Sequence, residues 1–239
     1  MTITRTQFQE MVQNAIDSTG MDAVAGSTVS TPRWGTATVN AVGGNVMNEE
    51  WSGILNQNPY YRFATITTTT DANGCVAISA LTTGSADAKQ NFYRVLSGFT
   101  DGTYLYKEVD FRNVPMATIT NYQNPWDYLY YLAGSNFQLL PVASGTAITT
   151  FVNWTPPRVD QLSGDSVALD FPDGAEMILV WQPAAKLLAG KGGAEAAGAQ
   201  VLTALADDAR KNLYGSIARL TTRPSYLLMP DLAQSWGGS

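Results

Sequence analysis

Glu108 and Asp110 are the two carboxylates whose spacing comes closest to acid–base chemistry, since glycoside hydrolysis needs a pair of carboxyl groups flanking one bond. Strand alternation puts both on one face beside Tyr104 and Tyr106, which is equally an ordinary solvated strand face. Asp160, Asp165, Asp170 and Asp173 suggest a calcium loop, but they lack the EF-hand order and its closing glutamate. They read as loop and cap positions. Gly190-Lys191 suggests a phosphate loop. That motif needs glycine five positions before Gly190 and Ser or Thr after the lysine, and here Ala185 and Gly192 stand there.

The chain contains no histidine. This removes Ser-His-Asp and Cys-His catalysis and the commonest proton shuttle near neutral pH. With one cysteine, it also removes nearly every type of zinc site. That cysteine, Cys75, excludes an intramolecular disulfide and, lying in an alternating apolar run, reads as a small core residue. The chain is read as a non-enzyme with no cofactor and no metal.

Aromatic residues cluster at Tyr60-Tyr61 and at Trp126, Tyr128, Tyr130 and Tyr131. Such clusters serve either as a carbohydrate platform or as core and subunit-interface packing, and packing is the favoured reading. Asn153-Trp-Thr155 matches a glycosylation sequon, but the polar opening Met1-Thr-Ile-Thr-Arg-Thr is no secretory leader. The longest apolar run, Ala175 to Leu188, holds Glu176, Gln182, Pro183 and Lys186 and is too short and polar to span a bilayer, so no membrane is expected.

Of the 239 residues, 45% are hydrophobic and only 14% charged, well below the usual quarter or so. A surface so short of charge is covered by Thr, Ser, Asn and Gly or by other subunits. The net charge of −6 disfavours general nucleic-acid binding, which depends on Lys and Arg against phosphate. An acidic lining suits a channel that DNA must pass without adhering, and Asp207 and Asp208 are candidates for it.

The elements that would position these residues are α+β. Thr4-Arg-Thr-Gln7 has the form of a capping box, and Phe8, Met11, Val12, Ala15 and Ile16 then mark one face of a helix ending near Gly20. The Gly-, Ser- and Thr-rich stretch from Met21 to Asn45 reads as irregular, followed by a short helix over Glu49 to Leu55. A β-rich middle comes next. Arg62–Thr70 and Cys75–Leu81 flank Asn73-Gly74 as a hairpin, and Asn91–Phe99 and Thr103–Phe111 flank Asp101-Gly102 as a second. Phe137–Leu140 and Ala147–Trp154 add strands, and Pro156-Pro157 ends the sheet. A helix from about Pro172 carries a kink at Pro183. Another runs from Ala194 to Leu220, with Val201, Leu202, Leu205, Ala209, Leu213, Ile217 and Leu220 as its apolar positions.

The segment from Arg223 to Ser239 holds two prolines, little charge, and six large apolar residues: Tyr226, Leu227, Leu228, Met229, Leu232 and Trp236. A solvated tail is hydrophilic, so this composition predicts one that docks on a partner.

The order of these elements resembles the head-to-tail adaptor (connector, or head-completion) proteins of tailed bacteriophages, in the form with a β domain inserted in a helical bundle. The resemblance rests on several stretches. They are Thr4-Arg-Thr-Gln-Phe-Gln-Glu10, Phe92-Tyr-Arg-Val-Leu96, Glu108-Val-Asp-Phe-Arg-Asn-Val-Pro115, Tyr128-Leu-Tyr-Tyr-Leu-Ala-Gly-Ser135, Phe137-Gln-Leu-Leu-Pro141 and Leu169-Asp-Phe-Pro-Asp173. It covers roughly Thr4 to Leu220. It implies a helical bundle, made of the N-terminal helix and two C-terminal helices, an inserted antiparallel β domain and an extended tail. The boundaries would be 1–58, 59–157, 158–222 and 223–239. It further implies a virion neck protein: a homo-oligomeric ring, typically twelve-fold, with portal protein above, tail or neck proteins below, and DNA passing through. Tyr226, Leu227, Leu228, Met229, Leu232 and Trp236 would be the portal-docking anchors. Another neck or tail-tube ring protein is the nearest alternative, and a carbohydrate-binding β module is the alternative of a different class.

Overall fold

A computed structural model describes residues 3–19, 34–81, 91–110, 128–141, 144–190 and 195–221. The fold is mixed α+β, and the chain divides into two compact units. One combines Met1–Tyr61 with Gly164–Ser239, and the other is Arg62–Ser163.

Among the described residues the first unit holds four helices: α1 (Arg5–Thr19), α2 (Thr36–Gln57), α3 (Ile178–Ala189) and α4 (Glu195–Thr221). Helix α1 opens on the anticipated capping box. The Thr4 N–H donates to Gln7 Oε1 at 3.0 Å, and the Gln7 N–H donates to Thr4 Oγ1 at 3.3 Å. Its buried face is Phe8, Val12 and Ile16. Helix α3 is apolar almost all round and packs against the other three, as a helix with no polar face must. The strand-like start of the chain is tied to the segment before α3: the Leu169 N–H donates to the Ile3 carbonyl at 2.8 Å, and the Arg5 N–H to the Val167 carbonyl at 3.0 Å. Trp51 is sealed in beside Phe171 and Tyr61, and its indole Nε1–H donates to the Asp170 carbonyl at 3.2 Å.

Helix α2 corrects the sequence reading. It begins at Thr36, so the last part of the stretch read as irregular is helical. Weak local propensity yields there to packing. Val39, Gly43, Gly44, Val46 and Met47 are buried, and Gly43 lets the Phe8 ring lie directly on the backbone, where a Cβ would collide with Phe8 Cζ. The expected helix start near Pro172 is also displaced. The chain turns through residues 173–177, and α3 begins at Ile178, with Pro183 buried inside it.

Among the described residues the second unit forms a seven-stranded sheet. Its strands are β1 (Phe63–Thr69), β2 (Cys75–Ala77), β3 (Asn91–Thr100), β4 (Leu105–Glu108), β5 (Leu129–Ala133), β6 (Asn136–Leu140) and β7 (Ala147–Thr155). Their order is β1-β7-β3-β4-β5-β6-β2. The hairpin expected around Asn73-Gly74 does not form: β1 pairs with β7 and β2 with β6, at opposite edges. The Asp71 carboxylate accepts the Asn73 and Cys75 N–H groups, both at 2.8 Å, and so turns the chain locally without pairing its flanks. Only Cys75–Ala77 is strand, and Ile78–Leu81 is a 3-10 turn. The second expected hairpin does form, but it is short, with Phe99 opposite Tyr106 and Thr100 opposite Leu105. The sheet is also not wholly antiparallel, because β4 and β5 run parallel. Proline ends it as anticipated, with β7 stopping at Thr155.

All seven strands feed one core. Ile66 (β1), Val76 (β2), Phe99 (β3), Tyr106 (β4), Tyr130 (β5), Phe137 and Leu139 (β6), and Ile148 and Val152 (β7) form a single buried cluster. Seven flat strands would span roughly 30 Å at 4.8 Å spacing, so edge residues can share a cluster only if the sheet curls. Strand β3 supplies bends, with register shifts between Phe92 and Arg94 and between Val95 and Phe99. The second ends at Gly98, whose φ of +80° and approach to the Tyr106 carbonyl leave no room for a Cβ.

Candidate interaction surfaces

Helix α4 carries three stripes, each at helical spacing. Leu202, Ala206, Leu213 and Ile217 are buried and hold it to the unit. Along one flank, Asp207, Arg210 and Tyr214 form a polar latch to α2. Arg210 Nε donates to both oxygens of Glu50, at 2.9 and 3.1 Å. Its Nη2 also bonds Glu50, its Nη1 bonds Asp207, and the Tyr214 hydroxyl lies 3.5 Å from Glu50 Oε2. Glu50 is only 4% exposed, so its charge is held by this guanidinium rather than by water. The bonds to Glu50 raise the Arg210 pKa further, and burial raises that of the Tyr214 phenol.

The opposite flank is open. Val201, Leu205, Asp208 and Asn212 succeed one another at i, i+4, i+7 and i+11, with Val201 54% and Leu205 43% exposed. Beside them is a cavity of about 370 Å³, walled by Trp181 of α3, by Leu205, Asp208, Asn212 and Ser216 of α4, and by the turn at 173–175. Helical spacing groups Val201 and Leu205 with the other apolar positions of α4, and the structure puts these two on the surface. Spacing shows only that α4 has an apolar arc wider than one neighbour covers. Which edge stays open depends on where α2 and α3 lie. The latch is likewise invisible in sequence, because Glu50 and Arg210 are 160 positions apart.

In the sheet unit Glu108 ends β4 and Asp110 lies just beyond it, both exposed. Tyr106 points into the core and Glu108 is exposed, while Tyr104 lies outside the strand. Tyr104 stacks on Tyr128, with ring centroids 4.0 Å apart and planes 8° apart. Tyr130 and Tyr131 are buried. Burial, with the Asp101 charge adding to it, raises the Tyr106 pKa to about 12. Burial and the Glu108 carboxylate raise that of Tyr130. Tyr60 is exposed and Tyr61 lies against Trp51; Trp126 is outside the described residues. The anticipated packing role therefore holds for Tyr61, Tyr130 and Tyr131 and in part for Tyr128, which packs against the sheet core while stacking with the exposed Tyr104.

Asp160 is held by Arg158 Nε and Nη2, both at 3.0 Å, and Asp165 lies 3.8 Å from Arg5. Among the described residues no group of three or more His, Cys, Asp or Glu side chains could hold a metal ion. Cys75 is half-buried rather than core, with its thiol donating to Gln138 Oε1 at 3.0 Å. Burial and Asp71 raise its pKa, which leaves it a poor nucleophile. Lys191 and the six anchors Tyr226, Leu227, Leu228, Met229, Leu232 and Trp236 lie outside the described residues. Among the described helices none is long and apolar enough to cross a membrane.

The sequence matches no model of a known protein family, and no curated protein matches it.

Proposed function

We propose that this chain is a structural subunit of a tailed-bacteriophage neck. It would form the homo-oligomeric adaptor ring between portal and tail, extend the DNA channel, and catalyse no reaction. The observation that carries the reading is the order of elements. Helices α1 and α2 come first, seven strands come next in a separate compact unit, and α3 and α4 return to the helical unit. That is the order the resemblance implies for a β domain inserted in a helical bundle.

In this reading the segment from Arg223 reaches the portal and buries Tyr226, Leu227, Leu228, Met229, Leu232 and Trp236 there. Each such side chain contributes roughly 1.5–3 kcal/mol, set against the ordering entropy of the segment. Deleting residues 223–239 is the test. The shortened chain is expected to keep its circular dichroism spectrum and fail to assemble with portal protein. Undiminished assembly would sink the docking role.

The stacked Tyr104–Tyr128 pair favours one second reading, a carbohydrate-binding β module. Quenching or enhancement of intrinsic fluorescence by oligosaccharides would support it, and an unchanged spectrum removes it.

A further inference from the structure

The cavity beside α4 matches, in length and in chemistry, the stretch of chain just past the end of that helix. Its walls on α4 run from Leu205 to Ser216, five to sixteen residues before the helix end at Thr221. At 1.5 Å per residue this is about 8 to 24 Å back from that end. Two residues beyond the described part of α4 stands Arg223, with Pro224 after it. A residue before proline is disfavoured in the α conformation, so Arg223-Pro224 is a sequence signal against continuing the helix.

With three residues spent on the reversal, an extended strand at about 3.3 Å per residue brings Tyr226 about 7 Å back along α4 and Leu232 about 26 Å back. These are the two ends of the cavity. The segment between them is Tyr-Leu-Leu-Met-Pro-Asp-Leu, and the surface it would meet is Trp181, Leu205 and Leu213, with Asp208, Asn212 and Ser216 beside them. Apolar side chains of one would cover apolar side chains of the other. Asp208 and Asn212 would supply acceptors for the N–H groups of an extended backbone.

We propose that the open flank of α4 is an intramolecular seat for residues 226–232 of the same chain, which fold back along the helix and cover Trp181 and Leu205. The seat does not depend on the neck reading, and it holds whatever partner the segment serves. Its consequence is a competition: a partner that takes Tyr226 to Leu232 must first lift them from α4, and the free chain does not display them to solvent.

Trp181 provides the readout, because a bimane label is quenched by an indole in near contact. The full chain carrying Leu227→Cys, with Cys75→Ser and Trp236→Phe to leave one label site and no tryptophan within the segment, is labelled at position 227. The expected result is loss of most of the bimane emission, independent of protein concentration and recovered in Trp181→Phe. Leu205→Asp, at a 43% exposed position, is expected to recover the emission while leaving the circular dichroism spectrum unchanged. Quenching that deepens with concentration would overturn the intramolecular seat in favour of one filled by a second copy. Emission indifferent to both Trp181→Phe and Leu205→Asp would overturn the seat altogether.

Discussion

Replacing Arg210 by methionine removes the guanidinium from a carboxylate that has little else. Glu50 is 4% exposed, and among the described residues it would retain only the Tyr214 hydroxyl at 3.5 Å. A buried charge stripped of its partner costs about 3–5 kcal/mol. The Asp207 contact adds little, because that carboxylate is 49% exposed and solvated ion pairs contribute at most about 1 kcal/mol. Glu50→Met combined with Arg210→Met removes both charges and leaves apolar groups of similar length between α2 and α4. Such exchanges are commonly neutral or mildly stabilising, so the double variant is expected to recover most of the loss. The assay is urea unfolding monitored by far-ultraviolet circular dichroism at 222 nm, which reports chiefly on the helical unit, with the four proteins closing a double-mutant cycle. A single variant within about 1 kcal/mol of the parent, or a double variant no better than the single, would refute the claim that Glu50 is charged and held by Arg210.

Gly98→Ala drives a Cβ into the Tyr106 carbonyl at a φ of +80°, and a loss of at least about 1–3 kcal/mol in the sheet unit is expected, read from its thermal transition. Thr4→Ala removes one half of the capping box, and about 1 kcal/mol of helical-unit stability should go with it in the urea titration. Tyr106 releases its proton at about 12 when folded, against about 10 in an unfolded chain, so below pH 10 the stabilisation is complete. As pH rises from 10 towards 12 the unfolded state loses its proton first and the sheet unit is expected to weaken, while Tyr106→Phe should flatten that dependence.

Where the signal was local, sequence reasoning reached it. The capping box at Thr4 and Gln7, the period of Phe8, Val12 and Ile16, the Asp101-Gly102 hairpin and the proline stop after Thr155 all depend on residues within a few positions of one another. What failed was decided at a distance. Thr36 to Asn45 is helical because Gly43 accepts the Phe8 ring, a contact between residues 35 positions apart. The Asp71–Gly74 turn looked like a hairpin, yet β1 finds Ala147–Asn153 and β2 finds Asn136–Gln138, because curling the sheet places both edges around one core. Val201 and Leu205 share a helical arc with true core residues, and only the placement of α3 leaves them uncovered.

The proposed assembly into a ring on a portal is tested by mass photometry of the full chain, alone and mixed with the portal protein that the neck proposal assigns to it. The portal peak is expected to gain a discrete mass in multiples of the 25.7 kDa subunit, corresponding to a closed ring, with nothing gained when residues 223–239 are deleted. A portal peak unmoved by the full chain, with the chain remaining a monomer beside it, would contradict the neck-ring proposal.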